Sequence, residues 1–303
     1  MAVKCEEALG RVYEAFGKRS IGFWTKGLRM TERLRFDDLG RYLLLKNGNY
    51  LYKVPFRGEW AVLKVYYGSR SGLSHVFKTL ENFLANQTSY MPRARRRTEL
   101  ECLALWRQIG VRVFDTYDDV VVEGLPEGGY ALYEYVPGLR FVDYFGDAAV
   151  PLEERLTTWR RFLAIWHHRH DEAVRRREPR LIHENGDLKH VMIWKDELLF
   201  FDFEMVFRSR SRLPEFVGRE ISAYLKSLGK TVGPELFERF LEETVRHYPS
   251  KEYLEQAYTF AFENPNKVVR AFRWLDRTIK VRAGKPFSKY NVARRLREAL
   301  DRT

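Results

Sequence analysis

The sequence predicts an α+β protein of two lobes, an antiparallel sheet in the first and mainly helices in the second. Three observations carry this prediction. Alternating apolar runs and tight-turn signals crowd residues 41–67, helical spacing dominates beyond about residue 152, and one connector near 136–139 joins the two regions.

Residues 41–46 read as a strand, Asn47-Gly48-Asn49 as a tight turn and residues 50–56 as a second strand. After Arg57-Gly58, residues 59–67 make a third, so the three form an antiparallel meander. A partly helical stretch over 70–110 closes with a helix, 97–109, in which Leu100, Leu103 and Trp106 share helical spacing and Gly110 is the stop. Residues 120–122 and 130–135 are two further strands, and Pro137-Gly138 turns the chain away from the second. Helices are then expected over 152–170, 217–228, 235–247, 251–262 and 268–281. One hairpin, 191–194 with 198–201, interrupts them around Lys195-Asp196-Glu197. Ahead of the sheet, Leu9, Val12, Tyr13 and Phe16 lie on one side of a helix over 5–18. The expected organisation is a helical extension, 1–40, a sheet lobe, 41–136, and a helical lobe, 137–303.

The 303 residues are 45% hydrophobic and 15% aromatic, which supports a substantial core and argues against a disordered chain. Cys5 and Cys102 have neither metal-ligand spacing nor the density of a disulfide scaffold, so a reducing compartment is expected. Charges interrupt every apolar stretch before it reaches the roughly 18–20 residues that cross a bilayer. The first residues lack the apolar region of a signal peptide, and the expected setting is the cytoplasm, free or at the inner face of the membrane. The formal charge of +12 attracts polyanions and is concentrated at 93–97, Arg160-Arg161, Arg175-Arg176-Arg177 and Arg208-Ser-Arg210-Ser-Arg212. A surface laced with ion pairs explains these clusters as well as an anionic ligand does.

The chemistry begins at Lys64, alone in the apolar run Ala61-Val-Leu-Lys-Val. Its neighbours Leu63 and Val65 point to the opposite sheet face, and a buried ammonium needs a carboxylate, a phosphate or both. Glu99 and Glu101 of the following helix are the candidate partners. Glu99 is preferred because it shares a face with Leu103 and Trp106 and so looks inward. The densest signal is His183-Glu-Asn-Gly-Asp-Leu-Lys-His190, then the hairpin, then Phe201-Asp202-Phe203-Glu204. Asp202 ends an apolar strand, where a carboxylate requires a cation or several hydrogen-bond donors.

These pieces, over residues 41–230, resemble the protein-kinase-like superfamily. Ala61-Val-Leu-Lys64 resembles its strand-lysine motif, and Glu99 its paired helix glutamate. Tyr133-Glu134-Tyr135-Val136-Pro137-Gly138 resembles the hinge, implying that backbone groups of Glu134 and Val136 bond adenine. Asp187-Leu-Lys is similar to the catalytic loop, and Asp202-Phe-Glu204 to the magnesium-binding Asp-Phe-Gly. The resemblance implies a two-lobed fold, ATP and Mg2+ as cofactors, and transfer of the γ-phosphoryl group to a hydroxyl.

Several positions depart from the family pattern. The Gly-rich loop is reduced to one glycine, Gly48, the residue left to approach the phosphates. Five residues after Asp187 stands Met192, which cannot bind magnesium; counting back from Asp202 puts His190 at the family's Asn or His position and Asn185 in the catalytic slot. Asn cannot take a proton, so Asp187 is read as the catalytic base or orienting group and His190 as the second metal-site residue, in a loop shortened by two. The short run from Asp202 to Pro214-Glu215 leaves little room for a peptide-docking segment. With Glu220 near the position of a helix carboxylate that braces the loop, it resembles lipopolysaccharide-core sugar kinases and other small-molecule kinases. An anionic sugar or glycolipid is therefore the expected acceptor, with a Ser/Thr protein acceptor second and an ATP-binding pseudokinase as the non-enzymatic alternative.

His167, His168 and His170 point in different directions on a helix and do not complete a zinc tetrahedron. Residues 21–29, with Phe23, Trp24, Lys26 and Arg29, suit contact with an acidic membrane or packing on the sheet lobe. No helix-turn-helix, zinc or stacking-platform signature accompanies the basic clusters, so nucleic acid is not an expected partner.

Overall fold

A computed structural model describes residues 31–67, 72–263, 267–282 and 285–303. The helix expected over 5–18 and the aromatic-basic stretch 21–29 lie outside the described residues. The chain runs β1 (Glu32–Leu34), β2 (Leu43–Asn47), β3 (Asn49–Phe56), β4 (Glu59–Val65), α1 (Gly72–Leu84), α2 (Pro92–Gln108), β5 (Val120–Val122) and β6 (Tyr130–Glu134). It continues through β7 (Leu139–Arg140), α3 (Phe141–Gly146), α4 (Leu152–Arg176), β8 (Val191–Trp194), β9 (Glu197–Phe200), α5 (Leu213–His247), α6 (Lys251–Phe262), α7 (Lys267–Arg282) and α8 (Lys289–Asp301).

The architecture is α+β, with a sheet lobe followed by a helical one. An antiparallel sheet of order β2-β3-β4-β6 forms the first lobe. Asn47 pairs with Asn49 across Gly48, and Tyr52 with Leu63, so the meander is closed by its turns as read from the sequence. Between β3 and β4, Arg57 and Gly58 both have positive φ, 49° and 80°, the twist that joins antiparallel strands tightly. Alternation along β4 sends Ala61, Leu63 and Val65 into a small core with Val54, Phe56, Val120, Val122 and Leu132. Lys64, one step out of phase, faces α2 instead.

The sheet lobe draws in chain earlier than residue 41. Strand β1 pairs in parallel with β5, and Leu34, Phe36 and Leu39 pack on the small core. A three-residue strand is too short for periodicity to reveal.

Aromatic packing builds the helical lobe. Trp159, Phe162 and Trp166 of α4 are fully buried, with Phe162 5.1 Å from the Tyr224 ring and Trp159 6.1 Å from that of Phe240, both on α5. Burying a large side chain of this kind stabilises by about 1.5–3 kcal/mol, so this column supplies much of the lobe's cohesion. The helices expected over 217–228 and 235–247 form one element, α5, broken only at Gly233 (φ 80°, ψ 172°), because the residue before Pro234 disfavours the helical region. Among the described residues no helix is long and apolar enough to cross a membrane. Helix α8, capped by Ser288 and burying Val292 and Leu296, carries so many arginines that its apolar stripe is hard to read from sequence.

Candidate active site

The site lies where the sheet lobe meets the loop before β8 and the segment after β9. Its upper half is an ionic cluster on Lys64. The ammonium donates to both oxygens of Glu99, at 3.0 and 2.7 Å, and lies 2.7 Å from a Glu204 oxygen. Glu101, the other candidate, lies on the outside of α2 and pairs with Arg180 at 3.3 Å. Tyr66 donates a third hydrogen bond to the Glu99 carboxylate at 2.6 Å, and its hydroxyl meets that of Tyr133 at 2.6 Å. Burial alone would lower the Lys64 pKa; Glu204 and Glu99, with Tyr133 and Asp202 behind them, outweigh it and hold the lysine well above its ordinary value. Lys64 is therefore a fixed cation.

Glu204 has further partners that sequence reasoning missed. Arg95 of α2, buried to 1%, donates to a Glu204 oxygen at 2.7 Å, to the Asn49 side-chain oxygen at 2.8 Å and to the Tyr66 carbonyl. Asn49 donates back to Glu204. In sequence Arg95 disappears into the basic run 93–97, yet it alone of that run is buried here with a carboxylate partner. Its position four residues before Glu99, on the same helix face, was the available signal. Gly48, the glycine assigned to phosphate approach, sits beside Asn49 at φ 72°, so the β2–β3 turn reaches over the same cluster.

The lower half centres on Asp202, at φ 73°, a left-handed conformation that Asp tolerates better than most residues. Phe203 packs 4.4 Å from the Trp106 ring of α2, and this anchor holds the segment so that Asp202 looks toward the cleft. Asn185 donates to Asp202 at 2.8 Å, and His190 Nε2 lies 3.1 Å from the same carboxylate oxygen. Burial would raise the Asp202 pKa; His190, Lys64, His183 and the Asn185 amide together hold it below its ordinary value.

The donor set suits a cation. His190 Nδ1 lies 2.8 Å from the Asn185 carbonyl, which only accepts, so Nδ1 carries the hydrogen. In the neutral ring the Nε2 lone pair then faces the Asp202 carboxylate, and that pairing calls for a proton or a metal ion between them. Magnesium favours oxygen ligands and usually one or two carboxylates, which Asp202 and the oxygen of the Asn185 amide, once turned, can offer beside His190.

Asp187 stands apart from this group. Its Oδ1 accepts from Ser227 Oγ of α5 at 2.8 Å and from Lys189 N at 3.1 Å, capping the short turn that ends at His190. The structure thus brings together Lys64, Glu99, Asp202 and His190, with Asn185 rather than Asp187 against Asp202. Glu220 of α5 ties down the start of the loop: it accepts from His183 N at 2.9 Å and Trp166 Nε1 at 3.1 Å, and pairs with buried Arg169. Burial opposes its charge, but Arg169 and His170 bring its pKa down to about 2. Gly186 is required here because a Cβ would stand 2.9 Å from the Tyr224 ring. On the connector side, Glu134 N donates to the Asp115 carbonyl at 3.0 Å and Val136 is buried.

The deciding observation is the sheet lysine bridged to the inward glutamate of α2, above an anchored Asp-Phe segment in a helical lobe. The fold is α+β, an antiparallel sheet lobe followed by a helical lobe. No family model and no curated protein matches the chain. Among solved structures it is similar to WaaP, seen in complex with acyl carrier protein, with a TM-score of 0.38 and 13% identity over 77% of this chain and 84% of that one. It is also similar to the kinase domain of PknI from Mycobacterium tuberculosis, with a TM-score of 0.33 and 16% identity over 67% of this chain and 70% of that one. The chemistry of the site follows from its own side chains, Lys64, Glu99, Asp202 and His190.

Among the described residues no three His, Cys, Asp or Glu side chains gather as a preformed metal set. The histidines of α4 are used separately: His168 bonds the Ile109 carbonyl at 2.8 Å and His170 the Tyr248 hydroxyl at 2.6 Å.

Proposed function

We propose that the protein is an ATP-dependent phosphotransferase that moves the γ-phosphoryl group to a hydroxyl. The observation that carries this reading is the Lys64–Glu99 pair facing Asp202 across one cleft. Lys64 neutralises the α- and β-phosphates, a task for a cation that stays charged, and Glu99 fixes its direction. Adenine lies along the connector, meeting the carbonyl side of Glu134 and the backbone of Val136, since Glu134 N is already bonded. Gly48, at the turn over the cleft, lets the backbone approach the phosphates. Asp202 and His190, with Asn185, hold Mg2+. Held there, Mg2+ would supply positive charge against that developing on the phosphates.

Asp187, with one oxygen held by Ser227, orients the acceptor hydroxyl with the other. The acceptor oxygen forms the new bond to the γ-phosphorus, the bond to the bridging oxygen of ADP breaks, and the hydroxyl proton passes to Asp187. Positioning and charge stabilisation account for most of the acceleration in such chemistry. The acceptor class that suits the net charge of +12 and the short segment after Asp202 is an anionic sugar or glycolipid, with Ser/Thr side chains of a protein second.

One specific observation favours a different reading, an ATP-binding module without transfer: Glu204 already holds Lys64 and Arg95. Incubation with ATP labelled at the γ-position, Mg2+ and separate sugar, glycolipid and peptide acceptors tests the choice. Label in a sugar or glycolipid supports the first reading, label in peptide reverses the acceptor order, and nucleotide binding with no label in any acceptor or in water favours the module.

A further inference from the structure

Two helices of the described chain turn apolar side chains outward beside one arginine-rich segment. On α1, Val76, Phe77, Leu80, Phe83 and Leu84 are exposed, Phe77 to 71% and Leu84 to 83%. They repeat at the three-and-four spacing of a helix face. On α7, Trp274, Leu275 and Ile279 are exposed, Trp274 to 60%. Isolated exposed leucines are ordinary on a protein surface, but a row on each of two helices is a feature to be explained.

The chain after the active-site segment links the two. At one end Asn82 donates to Met205 Sδ at 3.7 Å, Arg208 N donates to the Asn86 carbonyl at 2.9 Å, and the Arg208 guanidinium lies 3.6 Å over the Phe83 ring. At the other, Arg212 and Arg273 of α7 share Glu215, at 2.9 and 3.2 Å. Arg208, Arg210 and Arg212 are all exposed, as is Arg270 on α7. Apolar rows and cations are therefore strung along one stretch of surface.

Charge complementarity selects the occupant. An anionic bilayer offers phosphates to the guanidinium groups and acyl chains to the apolar rows just beneath, and Trp is at home at that boundary. We infer that this face binds anionic membrane surfaces, with α1 and α7 lying in the headgroup layer and the arginines of 208–212 meeting lipid phosphates. The segment follows Asp202-Phe-Glu204 directly, so binding brings the cleft to the bilayer. A lipid-borne hydroxyl is then the acceptor, a consequence that rests on the phosphotransfer reading, whereas membrane binding itself does not.

The full chain, without nucleotide, is sedimented with vesicles of phosphatidylcholine alone and of phosphatidylcholine mixed with phosphatidylglycerol. Preferential binding to the mixed vesicles is expected. Arg208→Ala with Arg210→Ala should weaken it by about 30-fold, from the roughly tenfold or less that each cation near an anionic surface contributes. Leu80→Asp and Trp274→Asp should each weaken it by at least about tenfold, because a charge replaces an apolar contact with the acyl region. All these positions are exposed, so unchanged melting temperatures are expected as the control. No sedimentation with the mixed vesicles overturns the inference. Full binding by both aspartate variants overturns it as well, since the contact then lies elsewhere. A wild-type dimer that either aspartate variant dissociates also overturns it, making the face a contact between copies. A thermal shift with ATP on the same samples reads the nucleotide site separately.

Discussion

Glu204 places a carboxylate oxygen 2.7 Å from the Lys64 ammonium, so the lysine assigned to phosphate binding is shared between two carboxylates. Phosphates entering the cleft must compete with Glu204 for Lys64 and for Arg95. Glu204→Gln keeps the side chain's shape and a hydrogen-bonding oxygen for Arg95 but removes the competing charge. The expected result is ATP binding tighter by about tenfold, equivalent to ~1.4 kcal/mol, measured by calorimetry. Unchanged or weaker affinity would mean that Glu204 helps to bind the nucleotide rather than occupying its place.

Lys64→Ala should reduce transfer by at least about 100-fold, because it removes a cation stationed on the charge that develops in the reaction. It also leaves Glu99 and Glu204 without the cation between them, and breaking a buried pair in this way costs about 3–5 kcal/mol. Glu99→Gln keeps the cation and should cost less stability while still lowering transfer. Measuring melting temperature beside turnover separates the two effects.

The loop carries two candidate residues for the acceptor side. With Asp187 as the orienting base, Asp187→Asn should lower turnover by about 100- to 10,000-fold with little change in nucleotide affinity. Asn185→Ala should chiefly weaken the response to Mg2+, since its amide bonds Asp202. The reverse pattern, full turnover in Asp187→Asn and none in Asn185→Ala, would assign Asp187 to capping its turn through Ser227.

Glu220 predicts an acid-sensitive helical lobe. Its folded pKa of about 2 lies below the ordinary 4.5, so the unfolded chain binds more protons between those values. The stabilisation it provides is fully present above pH 4.5 and is lost as pH falls toward 2. Buried His170, whose pKa burial lowers from 6.5 against the pull of Glu220, acts in the same direction at higher pH. Denaturant unfolding should show stability declining below about pH 6 and more steeply below about pH 4.5. Glu220→Gln should cost about 3–5 kcal/mol by leaving Arg169 unpaired, and should flatten the acid limb.

Much of this site was legible because its chemistry is tied to periodicity. A lysine one step out of phase in an apolar strand and a glutamate in phase with Leu103 and Trp106 are sequence-level facts, and their side chains meet in space. The hairpin and long helices were readable for the same reason. The partnership of Arg95, Asn49 and Glu204 was not, because it joins three separate segments that only the folded chain brings together. The catalytic loop was ambiguous for a related reason: spacing counts residues, whereas the bond from Asn185 to Asp202 and that from Ser227 to Asp187 depend on how a short turn folds.

The central claim is a nucleotide site organised by Lys64 and Asp202, and thermal melting with ATP tests it most directly, with and without Mg2+, on wild type and Asp202→Ala. ATP at about 100 times its dissociation constant should add about 2.7 kcal/mol of stability, a clear rise in midpoint. The account predicts a rise that requires Mg2+ and disappears in Asp202→Ala. No rise under any condition, or one that Asp202→Ala retains in full, would contradict it.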